Sequence, residues 1–266
     1  GYYPTYTGDT FLISGAGCIY GGGASDYDSV TAIDLSYQSL TTGFTAELIG
    51  KFNELISLQL QGNSLSVLDL SNLTKLTNVL CHTNQLLILD LSNSIKITSL
   101  SCQENLLTAL VNINTLLELD YLVCFDNELT VLDISTLIKL ETINCHSNQL
   151  TLLNTTNSVN LAVFICHSNL LTALDLSNLV DLANLICFNN QLTDLDVSNC
   201  PFLLNLVCDS NLLTNTVNSQ ILIDLDTHGL SNGFFRSSIS GGGSLTTAGA
   251  TAKANLQAKG WTIVGI

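Results

Sequence analysis

Leucine and its aliphatic substitutes recur along this chain at fixed distances. A group of the form LxxLxC or LxxLxL is followed three residues later by Asn, and then by a second group resembling LTxLDLS. The clearest first halves read LTNVLCHTNQL, LETINCHSNQL, LANLICFNNQL and LLNLVCDSNLL. Their Asn residues fall at Asn63, Asn84, Asn105, Asn127, Asn148, Asn169, Asn190 and Asn211, spaced 21, 21, 22, 21, 21, 21 and 21. A fixed period of this length signals stacked coils. Aligned, the copies read LxxLxCxxNxLTxLDLSNxxx and begin near Val30, Leu55, Leu76, Ile97, Leu119, Leu140, Leu161, Leu182 and Leu203. Alternation around the second Leu and the Cys predicts a short strand with both of those side chains inward. The second half repeats the same spacing, so each coil carries two strand signals and leaves no room for a convex helix. The Asn falls where the chain must turn, and its amide can satisfy backbone groups of adjacent coils. The eight Asn residues are therefore expected to form an inward structural ladder.

The first half matches the leucine-rich-repeat signature. The whole unit resembles the nested bacterial class of such repeats called IRREKO, over roughly Val30 to Thr214. The resemblance implies a right-handed solenoid, predominantly β, with two short parallel strands per coil. It also implies binding or surface roles, and it transfers no catalytic residue. The chain departs from that pattern by placing Cys at the sixth position and by one extra residue in the copy at Ile97.

The ends differ from the repeats, as solenoid caps must. Residues 1–29 are rich in Tyr and Gly and read as an irregular N-terminal cap; residues 30–214 form the solenoid, and residues 215–266 an α/β C-terminal cap. A helix-like insert, FTAELIGKF, delays the second copy, and the first copy has Gln38 in place of Asn. In the tail, SQILIDLDTHG predicts a helix closed by Gly229, GFFRSSIS a strand, and GGGS a loop. TTAGATAKANLQAKG then predicts a second helix ending at Gly260, and WTIVGI a last strand. This tail resembles a C-terminal module of Bacteroidetes surface proteins and tailed-phage proteins, which implies a cell-surface or virion setting.

Charge narrows the partners. Seven basic against 22 acidic residues give a net charge of −15, with Arg236 the only Arg. That field repels nucleic acid and anionic membranes. No apolar run is long enough to span a bilayer. The chain begins at Gly1 and contains no Met, which reads as a processed product or an excised fragment. Cys81, Cys102, Cys124, Cys145, Cys166, Cys187 and Cys208 share one repeat position with Leu35 and Leu60. A residue that exchanges with Leu is a small buried hydrophobe, so these are expected to be reduced core thiols rather than a bridged ladder or a metal site. Cys18 and Cys200 lie outside the ladder.

The outward positions of the first strand are the third, fifth and seventh of each copy. From Leu119 onward they become apolar and aromatic: Tyr121, Val123, Phe125, His146, Ile165, His167, Ile186, Phe188 and Val207. Such a stripe marks a candidate binding face. His146 and His167 each follow a ladder Cys, but neighbouring strand residues point to opposite faces, so no Cys–His metal site is expected. The second strand carries Asp69, Asp90, Asp133, Asp175 and Asp196. These are expected to accept hydrogen bonds from turn amides and Ser hydroxyls, with Ca²⁺ at Asp175 and Asp196 the lesser alternative. A Thr row from Thr108 to Thr214 suits β structure.

The chain has no phosphate loop, no HExxH and no GxSxG. The reading is a non-enzymatic, extracellular recognition or structural module without a cofactor: a bacterial adhesin or a virion component that contacts a protein or glycan surface. The alternatives are a self-assembling filament or lattice subunit and, more remotely, a carbohydrate-active solenoid enzyme.

Overall fold

The computed structural model describes residues 10–11, 21–22, 30–41, 52–240 and 243–266. The expected N-terminal cap, apart from one pair of short strands, lies outside the described residues, as do Cys18 and most of FTAELIGKF. The chain divides into two compact units, Gly1–Leu129 and Thr130–Ile266.

In the first unit, β1 (Thr10–Phe11) pairs antiparallel with β2 (Gly21–Gly22). The repeat strands β3 (Ala32–Asp34), β4 (Ser57–Gln59), β5 (Asn78–Leu80), β7 (Ser99–Ser101) and β9 (Tyr121–Val123) pair parallel, each in register with the same residues one copy later. Every strand is three residues long with its middle side chain buried, as the alternation requires. The second half of the coil yields shorter strands, β6 (Leu89–Asp90) and β8 (Leu110–Val111), which pair parallel with each other. The copy at Ile97 carries the extra residue, and its closing turn is a 3-10 turn over Ile113–Thr115 behind left-handed Asn112, φ 60°.

The second unit repeats this plan with β10 (Val131–Asp133) and β12 (Leu152–Asn154) on one side. On the other stand β11 (Thr142–Asn144), β13 (Val163–Ile165), β14 (Asn184–Ile186) and β15 (Asn205–Val207). At 173–175 and 194–196 the second-half segment runs without a regular strand.

The tail then continues the same sheet. Helix α1 (Asn215–His228) leads to β16 (Phe234–Arg236), which pairs parallel with β15, and α2 (Thr247–Ala258) leads to β17 (Thr262–Val264), parallel with β16. The helices replace the second half of the coil. α1 begins at Asn215, four residues before the sequence expectation, because the Thr214 hydroxyl accepts from the Val217 N–H and caps it. Gly229, φ 76°, closes it in the left-handed region. The two helices pack closely at Gly249, where a Cβ would meet Ser219 Cβ at 2.5 Å.

Within a coil the core is repetitive. Leu161, Phe164, Cys166, Leu171 and Leu179 are fully buried, with Leu174 and Leu176 nearly so. The turn between the two halves is fixed by Asn. Asn169 Oδ1 accepts from the Leu150 N–H at 3.0 Å, while Nδ2 donates to Cys145 O at 3.1 Å and Cys166 O at 3.0 Å. Asn84, Asn105, Asn127, Asn190 and Asn211 make the equivalent three bonds within their own units. Asn63 extends the ladder to the first copy, accepting from the Gln38 and Leu40 N–H groups.

Just before each Asn the backbone adopts positive φ: Gly62 at 70°, Thr83 at 55°, Glu104 at 55°, Asp126 at 49°, Ser147 at 50°, Ser168 at 55°, Asn189 at 53° and Ser210 at 54°. Only one of these is Gly, so the turn holds side-chain-bearing residues in a region costing about 1–2 kcal/mol each. Asn169→Ala should cost about 3 kcal/mol in urea unfolding, since it strands one buried N–H and two carbonyls. At the preceding position, Ser168→Val should lose about 1–2 kcal/mol while Ser168→Gly stays within about 1 kcal/mol of the parent.

Candidate recognition face

Parallel, in-register coils bring equivalent side chains to one strand spacing, about 4.8 Å. Planar rings at one position can therefore stack. In the second unit the seventh position does this. His146 and His167 lie 4.3 Å apart with planes 9° from parallel, and His167 and Phe188 lie 4.2 Å apart at 10°. The rings are oriented from the neighbouring left-handed residue: His146 Nδ1 sits 3.0 Å from Ser147 Oγ and His167 Nδ1 3.2 Å from Ser168 Oγ. Cys145 and Cys166, one residue earlier, point into the core.

Arg236 terminates this column. Its residue lies in register with Val207 on the neighbouring strand. The side chain runs back so that the guanidinium carbon sits 5.7 Å from the Phe188 ring centroid and Nε donates to Asp209 Oδ1 at 2.7 Å. The ion pair is half-exposed, so its contribution is in orientation more than in stability. Around the column stand Thr142, Asn144, Ile165, Asn184, Ile186 and Asn205, all partly exposed. The outcome is a strip of ring edges with aliphatic and amide side chains beside it.

In the first unit the same positions are mostly polar: Ser57, Gln59, Gln61, Asn78, His82, Ser99 and Gln103. Thr83 Oγ1 bridges His82 Nδ1 and Glu104 Oε2 at 3.0 and 2.9 Å. Burial holds the His82 imidazole below its ordinary pKa, against an opposing pull from Glu104. Tyr121 is 42% exposed and Phe125 partly exposed at the end of this unit.

Two of the residues expected to face outward are corrected by the structure. Val123 is only 6% exposed and Val207 only 8%. Both have outward register, but Val207 stands between Ile186 and Arg236, whose side chains are longer, and Val123 is in register with Ser101, itself buried. Ile165 and Ile186 reach further and remain partly exposed. Sequence reasoning also missed the role of Arg236, although the alternation through Phe234, Phe235 and Arg236 carried the signal. A further row was overlooked in the short tail of the repeat: Ile138, Val159 and Val180 stand exposed at equivalent positions in the second unit.

The thiols are as buried as their exchange with Leu demands. All seven ladder cysteines are reduced and fully out of solvent, and Cys200 is buried as well. Burial pushes the Cys81, Cys124 and Cys208 thiols up to about 12. Cys102, Cys166 and Cys187 are held well above the ordinary thiol range by burial and by neighbouring groups.

The Asp row closes turns. Asp69, Asp90, Asp133, Asp175 and Asp196 each accept at Oδ1 from the N–H two residues on, at 2.9–3.0 Å. Asn154 plays the same part for Thr156. Hydrogen bonds from the Ser177 and Ser198 hydroxyls, then from their N–H groups, hold Asp175 and Asp196 below the usual carboxylate range.

No protein-family model and no curated protein matches the chain. Among solved structures, the functional domain of InlJ from Listeria monocytogenes, which includes a cysteine ladder, is similar over 82% of this chain at 28% identity, TM-score 0.62. YopM, a leucine-rich effector protein from Yersinia pestis, is similar over 72% at 26% identity, TM-score 0.59. The chain spans about half the length of each, 51% and 52%. An internalin of Listeria monocytogenes, inlF, covers 91% of this chain and is itself covered over 88%, at 17% identity and TM-score 0.52, and so shares the fold. The chain has the leucine-rich-repeat fold: a predominantly β solenoid of parallel strands with a small helical part at the C-terminal end.

Two measurements follow from this chemistry. Native protein should resist iodoacetamide and label at the ladder thiols only after denaturation, with Cys166→Ala costing about 1–3 kcal/mol as a small core truncation. Rapid native labelling would mean the coils open. For the Asp turns, a folded pKa below the unfolded value of about 3.9 contributes stability that is present above that value and lost as pH falls through the folded one. The urea midpoint should therefore drop on acidification below about pH 4. The drop should be smaller in an Asp175→Asn, Asp196→Asn double variant, whose side chains still accept the turn hydrogen bonds.

Proposed function

We propose that this chain is a non-enzymatic recognition module that docks a partner protein on the strand face of the Thr130–Ile266 unit. The observation that carries the reading is the column His146–His167–Phe188, held half-exposed on an otherwise regular sheet and terminated by Arg236. Aromatic rings and an Arg are the residue types that dominate binding energy at protein contacts. A stacked column presents ring edges, because each ring face is taken by its neighbour. Sugars that stack on ring faces find little purchase there, which favours a protein partner over a glycan. Two likenesses above a quarter identity, to the InlJ functional domain and to the effector YopM, support an interaction role for half-length relatives of this kind.

On the motifs alone we assign the repeat to the nested bacterial class and the tail to the module of bacterial surface and tailed-phage proteins. The setting proposed is therefore extracellular, on a cell or a virion. The Asp row is read as turn-forming, with no cation assigned to Asp175 or Asp196. A second reading, self-assembly, is favoured by one observation, the exposed row Ile138, Val159 and Val180 on another side of the coil.

The test replaces Ile186 with a photoreactive benzoylphenylalanine in the native particle or cell fraction, with the same replacement at exposed Asn93 as control. Crosslinks should form from position 186 and not from position 93. Ile186→Ser with Phe188→Ser should leave the circular-dichroism melt nearly unchanged while attachment is lost. Equal labelling at both sites, or full attachment by the folded double variant, would place the contact surface elsewhere. Crosslinks only between copies of the chain would decide for self-assembly.

A further inference from the structure

We propose that the aliphatic ridge on the short tail of the coil is a two-fold interface, through which two copies of this chain pair in opposite directions. This gives the self-assembly reading a surface and a symmetry, and it does not depend on the strand face. The ridge consists of Ile138, Val159 and Val180, each close to half exposed and each one coil beyond the last. The residue after each differs in charge: Lys139, Asn160 and Asp181, all exposed.

An exposed aliphatic row suits contact only where the polar groups among it can be dried without loss. Here the backbone around the ridge is already satisfied. The Ile138 N–H donates to Thr136 O at 3.0 Å and the Val159 N–H to Asn157 O at 2.8 Å. Carbonyls are taken up by amides of the following coil. Asn157 Nδ2 donates to Ser135 O at 3.0 Å, Asn160 Nδ2 to Ile138 O at 2.7 Å and Asn178 Nδ2 to Thr156 O at 2.9 Å. The same bonds tie consecutive tail turns together, so the ridge is presented as one line.

Charge selects the occupant. About an axis through Val159, the order Lys139, Asn160, Asp181 is its own complement when reversed. A second copy turned end for end sets Asp181 against Lys139 on both sides of the axis, Asn160 against Asn160, and Ile138 against Val180. A pair running the same way would instead place Lys139 against Lys139 and Asp181 against Asp181. The antiparallel contact is isologous, so it closes at two copies. Lys139 also has an interaction within its own chain, and the ion pair across the axis adds to it, since an ammonium donates in more than one direction. Such rim pairs fix orientation more than they strengthen binding. The net charge of −15 opposes association at long range, but physiological salt screens that repulsion beyond about 8 Å. The face is small, so the dimer is a weak one. Its consequence is valency. On the reading of the strand face as the contact surface, each dimer carries that face twice and holds a partner displayed in many copies by avidity.

The experiment is sedimentation velocity of the full chain from about 1 µM to about 1 mM, in about 0.15 M salt. The parent should pass from monomer to dimer across that range. Lys139→Asp and Asp181→Lys, each alone, should raise the dissociation constant about tenfold or more, since each alters both symmetric pairs. An equal mixture of the two variants should pair like the parent, as should the chain carrying both changes, because each restores opposite charges across the axis. Val159→Asp sets two carboxylates on the axis and should stay monomeric, with a circular-dichroism melt near the parent's. A parent that remains monomeric throughout would overturn the proposal. So would single charge variants that pair within about twofold of the parent, or a mixture that pairs no better than they do. A dimer kept in Val159→Asp but lost in Ile186→Ser with Phe188→Ser would move self-association to the strand face and sink the ridge. A ridge dimer without crosslinks from position 186 would support the pairing and remove only the contact-surface reading.

Discussion

Every coil of this molecule has to bring its backbone back to the same place, and the turn that does so would leave polar groups buried inside the solenoid. The Asn amide resolves that conflict. One side chain joins its own coil to the one before, accepting one N–H and donating to two carbonyls. It does so at the innermost bend, where water cannot substitute. The left-handed residue ahead of it shapes the bend, and the Asp turn on the far side closes the second half of the coil. Strand register, thiol column and ring column all follow once the turns superimpose, because each equivalent position is then carried forward by one strand spacing.

Much of this was legible because periodicity is a statement about position. The Asn and Cys ladders and the inward Leu residues could be placed from spacing alone, and the order of the tail elements from their stop signals at Gly229 and Gly260. Exposure was harder to read. Register assigns Val123 and Val207 to the outward side, but register does not say how far a side chain projects or what lies over it. Arg236 is distant in sequence from Phe188 and Asp209, and only the continuation of the sheet through β16 brings it near them. The left-handed positions were missed for another reason: Thr, Glu, Asp, Ser and Asn all occupy that site, so no single residue type announces it. The exposed row through Ile138, Val159 and Val180 hides in the least regular stretch of the repeat, where the pattern was treated as a spacer.

The sequence also overstated the second strand. LTxLDLS has the spacing of a strand throughout, yet β structure forms at Val131–Asp133 and Leu152–Asn154 and not at 173–175 or 194–196. Spacing fixes which side chains turn inward, and Leu174 and Leu195 are buried whether or not a backbone ladder forms beside them. Strand pairing needs both backbones to present their polar groups at the right depth. The Asx turn does not decide the matter, because Asp133 and Asn154 make it at the ends of regular strands.

The way Arg236 closes the ring column bears on how the molecule can change over generations. A solenoid of this kind grows or shrinks by duplication or loss of one whole period, and most positions are indifferent to the event. The column is an exception, because its far end is anchored by a residue outside the repeats. A duplicated coil inserted ahead of Phe188 would lengthen the row of rings by one and leave the guanidinium seated where it is. Deletion of a coil there would shorten it without disturbing the terminus. The length of this strip is thus an inheritable quantity that genetic recombination can adjust in single steps.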